Sequence, residues 1–234
     1  MELFIGELIG TMFMVFFGDS VVASCVLKKT KNNDAGWLVI TTAWALAVAV
    51  AVFIFGPLTG AHFNPAVTLG LAVIGKFAWA DVPMYIIAQL IGGILAGVLV
   101  YINFKNHFKV TDDPAGKLAV FSTGPAIRDY GLNFFNEFIA TLLLVFSLLG
   151  VANTEMAPGI AAIVVFMIIW LIGLALGGLT GYALNPARDL GPRIAHAFLP
   201  IPGKGSSDWA YAWVPVAGPI LGGICGALAF AAIF

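Results

Sequence analysis

Leu58-Thr59-Gly60-Ala61-His62-Phe63-Asn64-Pro65-Ala66 lies between two long apolar runs, and Leu179-Thr180-Gly181-Tyr182-Ala183-Leu184-Asn185-Pro186-Ala187 repeats its pattern 121 positions later. Leu69-Gly70 recurs at the same offset as Leu190-Gly191. Two further echoes stand 130 positions apart: Glu7-x-x-x-Thr11 with Glu137-x-x-x-Thr141, and Gly92-Gly93-Ile94 with Gly222-Gly223-Ile224. The chain reads as an internal duplication.

Within each copy, Asn is a strong N-cap and Pro suits the first helical position, where its missing N–H would be unpaired anyway. Each Asn-Pro-Ala therefore starts a helix. The first, from Asn64 to Ile74, is about 15 Å long, half of a ~30 Å hydrocarbon core. Its twin starts at Asn185. Two such half-helices entering from opposite faces make one span between them, with their N-termini abutting at mid-membrane. Each N-terminus carries roughly half a positive charge, so the junction repels cations. If each Asn oxygen caps its own helix, its NH₂ group is fixed as a donor toward the lumen. The extended residues before each Asn cannot pair internally in lipid and must line a cavity. Gly60, Ala61, His62 and Phe63, with Gly181, Tyr182, Ala183 and Leu184, then present a ladder of carbonyl acceptors. His62 is open between a structural hydrogen bond and pore lining. One Asn-Pro-Ala is an ordinary helix start; two at equivalent places of a repeat are not.

The surroundings are those of a membrane protein. Only 10% of the 234 residues are charged and 61% are hydrophobic, with mean hydropathy +1.00, whereas a soluble domain carries roughly 25% charged residues. The net charge of −1 offers nothing to nucleic acid. Cys25 and Cys225 both fall in apolar stretches and read as packing residues. Six stretches qualify as spans: 3–27, 37–57, 82–104, 132–152, 158–178 and 209–233. The first has no basic residues before it, no small-residue cleavage site followed by a polar mature domain, and more length than a signal h-region, so it should stay in the membrane. The short turn Asn153–Ala157 makes spans four and five antiparallel neighbours. The expected organisation is one channel domain, 1–234, with a first repeat over 1–106, a connecting outer loop over 107–131 and a second repeat over 132–234. Three spans per half is an odd number, so the second half enters from the opposite side. The fold class is all-α: six transmembrane helices plus two re-entrant half-helices in an inverted 3+3 repeat.

On these motifs the chain resembles the aquaporin superfamily, specifically the aquaglyceroporins, over nearly its whole length. In aquaporin-type pores an Arg or the positive ends of half-helix dipoles exclude protons and cations. The resemblance implies a selectivity filter of four residues: Arg188 after the second motif, Trp44 twenty positions before Asn64, Gly173 twelve before Asn185, and Tyr182 three before Asn185. Trp, Gly, an aromatic and Arg resemble the glycerol class, since water-only members typically have His where Gly173 lies; Asp189 also resembles the glycerol branch. Trp44 and Tyr182 would offer apolar walls to a polyol's carbon face, Arg188 fixed donors to its hydroxyls, and Gly173 room. Glu7 and Glu137 would accept backbone N–H bonds from the re-entrant loops and hold the ladder open. Asp19 departs from many members and has no assigned role. The resemblance further implies a homotetramer in the plasma membrane lipid bilayer with both termini cytoplasmic, carrying glycerol, related small neutral solutes and water. That orientation puts Lys76 inside and the other ten Lys and Arg outside, opposite to the positive-inside bias.

A secondary transporter could also use inverted repeats and broken helices; it would differ by coupled, saturable flux. An enzyme needs a nucleophile–base set or a metal cluster, and His62, His107 and His196 are scattered. No metal or cofactor is called for.

Overall fold

The structure, a computed structural model, describes residues 1–157 and 159–234. Among them the regular elements are all helical: α1 Glu2–Val26, α2 Trp37–Thr59, α3 Pro65–Val73, α4 Val82–Val110, α5 Pro114–Ala119, α6 Tyr130–Ala152, α7 Ile160–Ala175, α8 Gly177–Thr180, α9 Pro186–Phe198 and α10 Val214–Ile233. Five of these, α1, α2, α4, α6 and α10, are long and apolar enough to cross a membrane. The fifth expected span differs. Its start at Pro158 lies outside the described residues, and α7 has 16 residues, breaking at Leu176 before α8 resumes. The break lies beside Gly177, where a Cβ would stand 2.6 Å from the Tyr182 ring.

Two other boundaries move. Helix α4 continues six residues past the expected 104, to Val110. At 29 residues it is about 43 Å long and outruns a ~30 Å core. Its last turn carries His107 and Lys109, which suit the negative end of the helix dipole. The connecting loop holds the short α5, capped by Asp113, whose carboxylate accepts from Ala115 N at 3.0 Å. Helix α10 starts at Val214, after turns through Trp209–Trp213.

The packing obeys the duplication. Helix α1 lies against α2 and α4, and α6 correspondingly against α7 and α10. The half-helices cross over: α3 of the first half packs on α10 of the second, and α9 packs on α4. The paired glycines permit this. A Cβ on Gly93 would sit 2.6 Å from the Ala187 carbonyl oxygen, and one on Gly223 would sit 2.6 Å from that of Ala66. Each half-helix start therefore rests directly on backbone, the close approach that small residues allow between membrane helices. The lipid-facing surface is a belt of exposed apolar side chains, among them Phe17, Leu46, Phe53, Ile102, Phe135, Met167 and Leu228. The polar groups are inside: Glu7, Asp19, Gln89, Glu137, Asp189 and Arg193 are fully buried. That inversion is what a chain needs when its solvent is hydrocarbon.

Candidate functional site

The two Asn-Pro-Ala motifs meet. Asn64 Oδ1 accepts from Ala66 N at 2.9 Å, and Asn185 Oδ1 from Ala187 N at 2.9 Å and Arg188 N at 3.2 Å. Each oxygen caps its own helix, so each amide NH₂ must point away from it. The direction differs from a purely lumenal one: Asn64 Nδ2 donates to the Leu184 carbonyl at 2.9 Å, and Asn185 Nδ2 to the Phe63 carbonyl at 2.7 Å. One N–H of each amide thus ties the opposite loop. The second has no protein acceptor among the described residues, and both Asn side chains line a cavity.

The residues before each Asn adopt an unusual alternating backbone. Ala61 and Phe63 have φ of 52° and 50°, and Tyr182 and Leu184 have 40° and 55°, after Gly60 at 79° and Gly181 at 84°. Left-handed conformations at non-glycine residues are costly and persist only where the surroundings enforce them. The enforcing groups are two buried carboxylates. Glu7 Oε1 accepts from Thr59 Oγ1 at 2.8 Å and His62 N at 3.0 Å; its Oε2 accepts from Phe63 N and Gln89 Nε2, both at 2.8 Å. Glu137 does the same for the second loop, taking Thr180 Oγ1 at 2.6 Å and the N–H groups of Ala183 and Leu184 at 2.9 Å. With their N–H groups turned to the glutamates, the loop carbonyls turn the other way. His62 Nδ1 is 3.1 Å from Thr68 Oγ1, and His62 also borders the cavity.

The cavity, about 340 Å³, is lined by Trp44, Tyr182 and Arg188, by Asn64 and Asn185, and by Leu71, Val151 and Ala152 among others. Gly60, Ala61, His62, Phe63, Ala183 and Leu184 border it, and Gly181 does not. Its remaining walls are mostly aliphatic, including Val48, Val52, Leu144, Leu148 and Ile169. Trp44 is held between elements: a Cβ on Gly18 would be 2.3 Å from its ring, and Arg188 Cζ lies 4.1 Å from its ring centroid on a cation–π contact. Trp44 is also one of the residues that line the cavity. Arg188 NH1 also reaches Asp19 Oδ1 at 3.4 Å.

Gly173 is not among the cavity-lining residues. Its missing side chain leaves the space that the Tyr182 ring fills, since a Cβ there would stand 3.1 Å from Tyr182 Cε2 and Cζ and 3.1 Å from Thr41 Cγ2. Trp37 completes this corner, donating from Nε1 to the Gly173 carbonyl at 3.0 Å and meeting Tyr182 edge-on at 5.7 Å. The absence of a side chain at Gly173 leaves the place that the Tyr182 ring takes.

Several members of the assembly escaped sequence reasoning. Thr59 and Thr180 were readable, because they hold equivalent places in the quoted repeat and supply the hydroxyls that meet the glutamates. Gln89 was not: the corresponding position of the second half is Pro219, and only the fold brings Gln89 to Glu7 and to Thr68 Oγ1 at 3.0 Å. Asp189 has a structural task. It accepts from Thr123 N and Thr123 Oγ1 at 2.7 Å and pairs with Arg193 at 2.8 Å, while Arg193 also donates to the Ser207 and Thr123 carbonyls. This stitches the connecting loop to α9. Further out, Arg128 NH1 binds Asp208 Oδ1 at 3.0 Å, and that hydrogen bonding holds the Asp208 carboxyl below its ordinary range.

Two half-helices abutting N-terminus to N-terminus, inside a bundle of spans with a lipid-facing apolar belt, define a membrane channel of the aquaporin fold. The model of the family described as major intrinsic protein matches residues 1–230, and the chain belongs to that family. It is 54% identical over 227 residues to a probable glycerol uptake facilitator protein of Thermotoga maritima, covering 97% of each chain. It is 52% identical over 234 residues to the glycerol uptake facilitator protein of Bacillus subtilis, covering all of this chain and 85% of the relative. The X-ray structure of the aquaglyceroporin from Plasmodium falciparum superposes with a TM-score of 0.85 at 31% identity, over 97% of this chain and 93% of that one. The protein is a multi-pass membrane channel and not an enzyme.

Proposed function

We propose that the channel passes glycerol and other small uncharged polar solutes, with water, and excludes ions and protons. The observation that carries this reading is the mixed chemistry of the lumen: a mostly aliphatic lining with a few polar groups. Aliphatic side chains make most of the wall, and the polar groups, Arg188, Asn64, Asn185 and the loop carbonyls, succeed one another along the path. A polyol has a carbon face and a hydroxyl face and matches both. Trp44, Gly173, Tyr182 and Arg188 form the selectivity filter in this reading. Arg188 supplies donors, Trp44 and Tyr182 supply walls, and Gly173 sets how far Tyr182 stands back. The glycerol uptake facilitators among its relatives support the same solute class. The two opposed helix dipoles and Arg188 place positive potential on a single-file path, which is the barrier to cations and protons.

The same reading makes the protein a homotetramer in the plasma membrane bilayer, with both termini in the cytoplasm. The same reading divides the chain into a first repeat over 1–106 and a second over 132–234, joined by a connecting loop over 107–131 on the outer side.

The test is solute flux into proteoliposomes with and without a proton gradient. Passive glycerol entry with weak temperature dependence and no response to an uncoupler is expected. Uphill accumulation, or flux that collapses with the gradient, would make the protein a coupled carrier instead.

A further inference from the structure

Asp19 is fully buried on α1, inside an apolar helix, and lies outside the cavity lining. A carboxylate in that place is costly unless paired. Its partner is Arg188, with NH1 to Oδ1 at 3.4 Å; Oδ2 has no protein partner. Charge-assisted contacts are ordinarily ~2.7–2.9 Å, so this one acts more by field than as a full hydrogen bond. The other carboxylate in the neighbourhood, Asp189, is already matched by Arg193 at 2.8 Å. On the Arg188 side, NH1 has Asp19 as its protein acceptor, and Nε and NH2 have none among the described residues. Apart from its stack on Trp44, the guanidinium is therefore steered by one group, set behind it and away from the path.

We infer that Asp19 is a positioning residue for the constriction: it draws Arg188 back from the lumen and offsets part of its charge, and the remaining positive potential stays on the path. The inference rests on the reading of Arg188 as part of the filter. Without Asp19 the guanidinium keeps its full charge and turns to the nearest lumenal acceptors. The passage narrows for a polyol more than for water. With Asp19 but without Arg188, the chain retains a buried, uncompensated carboxylate, which is strongly destabilising.

The experiment compares the wild type with D19N, D19E, R188V and the double variant D19N/R188V in proteoliposomes at equal folded protein. Stopped-flow light scattering gives the glycerol-to-water permeability ratio, and thermal unfolding is followed in detergent. D19N should lower the ratio by about threefold or more, and D19E should recover most of that loss. In the R188V background, D19N should leave the ratio unchanged and raise the unfolding temperature, because it removes the stranded charge. The second comparison stands even if D19N alone fails to fold. A D19N ratio equal to the wild type, a D19N effect that persists without Arg188, or an unfolding temperature no higher in the double variant than in R188V would each overturn the inference. Should R188V itself match the wild type in ratio and proton leak, the filter reading would fall first and the inference with it.

Discussion

Glu7→Gln changes one atom and almost no volume, yet the geometry makes it expensive. All four groups that meet the Glu7 carboxylate are donors: Thr59 Oγ1, His62 N, Phe63 N and Gln89 Nε2. An amide replaces one acceptor oxygen with NH₂. If the NH₂ takes the Oε1 place, it faces His62 N; in the Oε2 place it faces Phe63 N. Thr59 can rotate its hydroxyl and Gln89 can turn its own amide, but a backbone N–H cannot. At least one buried donor is therefore orphaned, at about 1–3 kcal/mol, and the surviving bonds drop from charge-assisted to neutral strength, about 1 kcal/mol each. A neutral amide is cheaper to bury than a carboxylate, which offsets part of this. A net loss of about 2–3 kcal/mol follows, or roughly 4–12 °C in unfolding temperature for a chain of this size. Glu137→Gln should cost at least as much, because two of its three donors are the backbone N–H groups of Ala183 and Leu184. Both variants should lose glycerol and water flux together, since the loops they brace lie on the common path. The assay is thermal unfolding in detergent beside stopped-flow flux. Variants with wild-type thermal stability that lose only a pH-dependent part of the flux would show that these glutamates handle protons, and the bracing argument would be wrong.

Gly173→His should cut glycerol flux sharply and keep some water flux, by forcing Tyr182 into the passage. Even Gly173→Ala places a methyl 3.1 Å from the Tyr182 ring; an overpacking cost of about 1–3 kcal/mol on the glycerol barrier corresponds to roughly 5- to 150-fold. Unchanged glycerol flux in both variants would leave Gly173 as a packing residue with no part in selection. Compared at equal folded protein, because it strands the Asp19 carboxylate, Arg188→Val should leave neutral solute flux per channel largely intact and admit protons, read from a pH dye inside the vesicles under an imposed potential; a leak no greater than the wild type's would remove Arg188 from the proton barrier.

The sequence by itself determined the membrane class, the paired half-helices and their inverted arrangement. Those depend on local or countable properties. Hydropathy marks a span, Asn followed by Pro marks a helix start through its own backbone, and an odd number of spans per repeat forces inversion. Glu7 and Glu137 were legible for the same reason, as acids at equivalent places of a duplication. What the tertiary structure decided is which groups answer them across the chain. The Asn64 amide finds a carbonyl 120 residues away, Gln89 finds Glu7 at a separation of 82, and Asp19 finds Arg188 at 169. Gly173 shows the limit most clearly: a residue with no side chain has no chemistry to read, and its effect is the position of the Tyr182 ring that folds over it. Spacing along one helix cannot reveal such a contact, because it exists only after α7 and the second re-entrant loop have packed together.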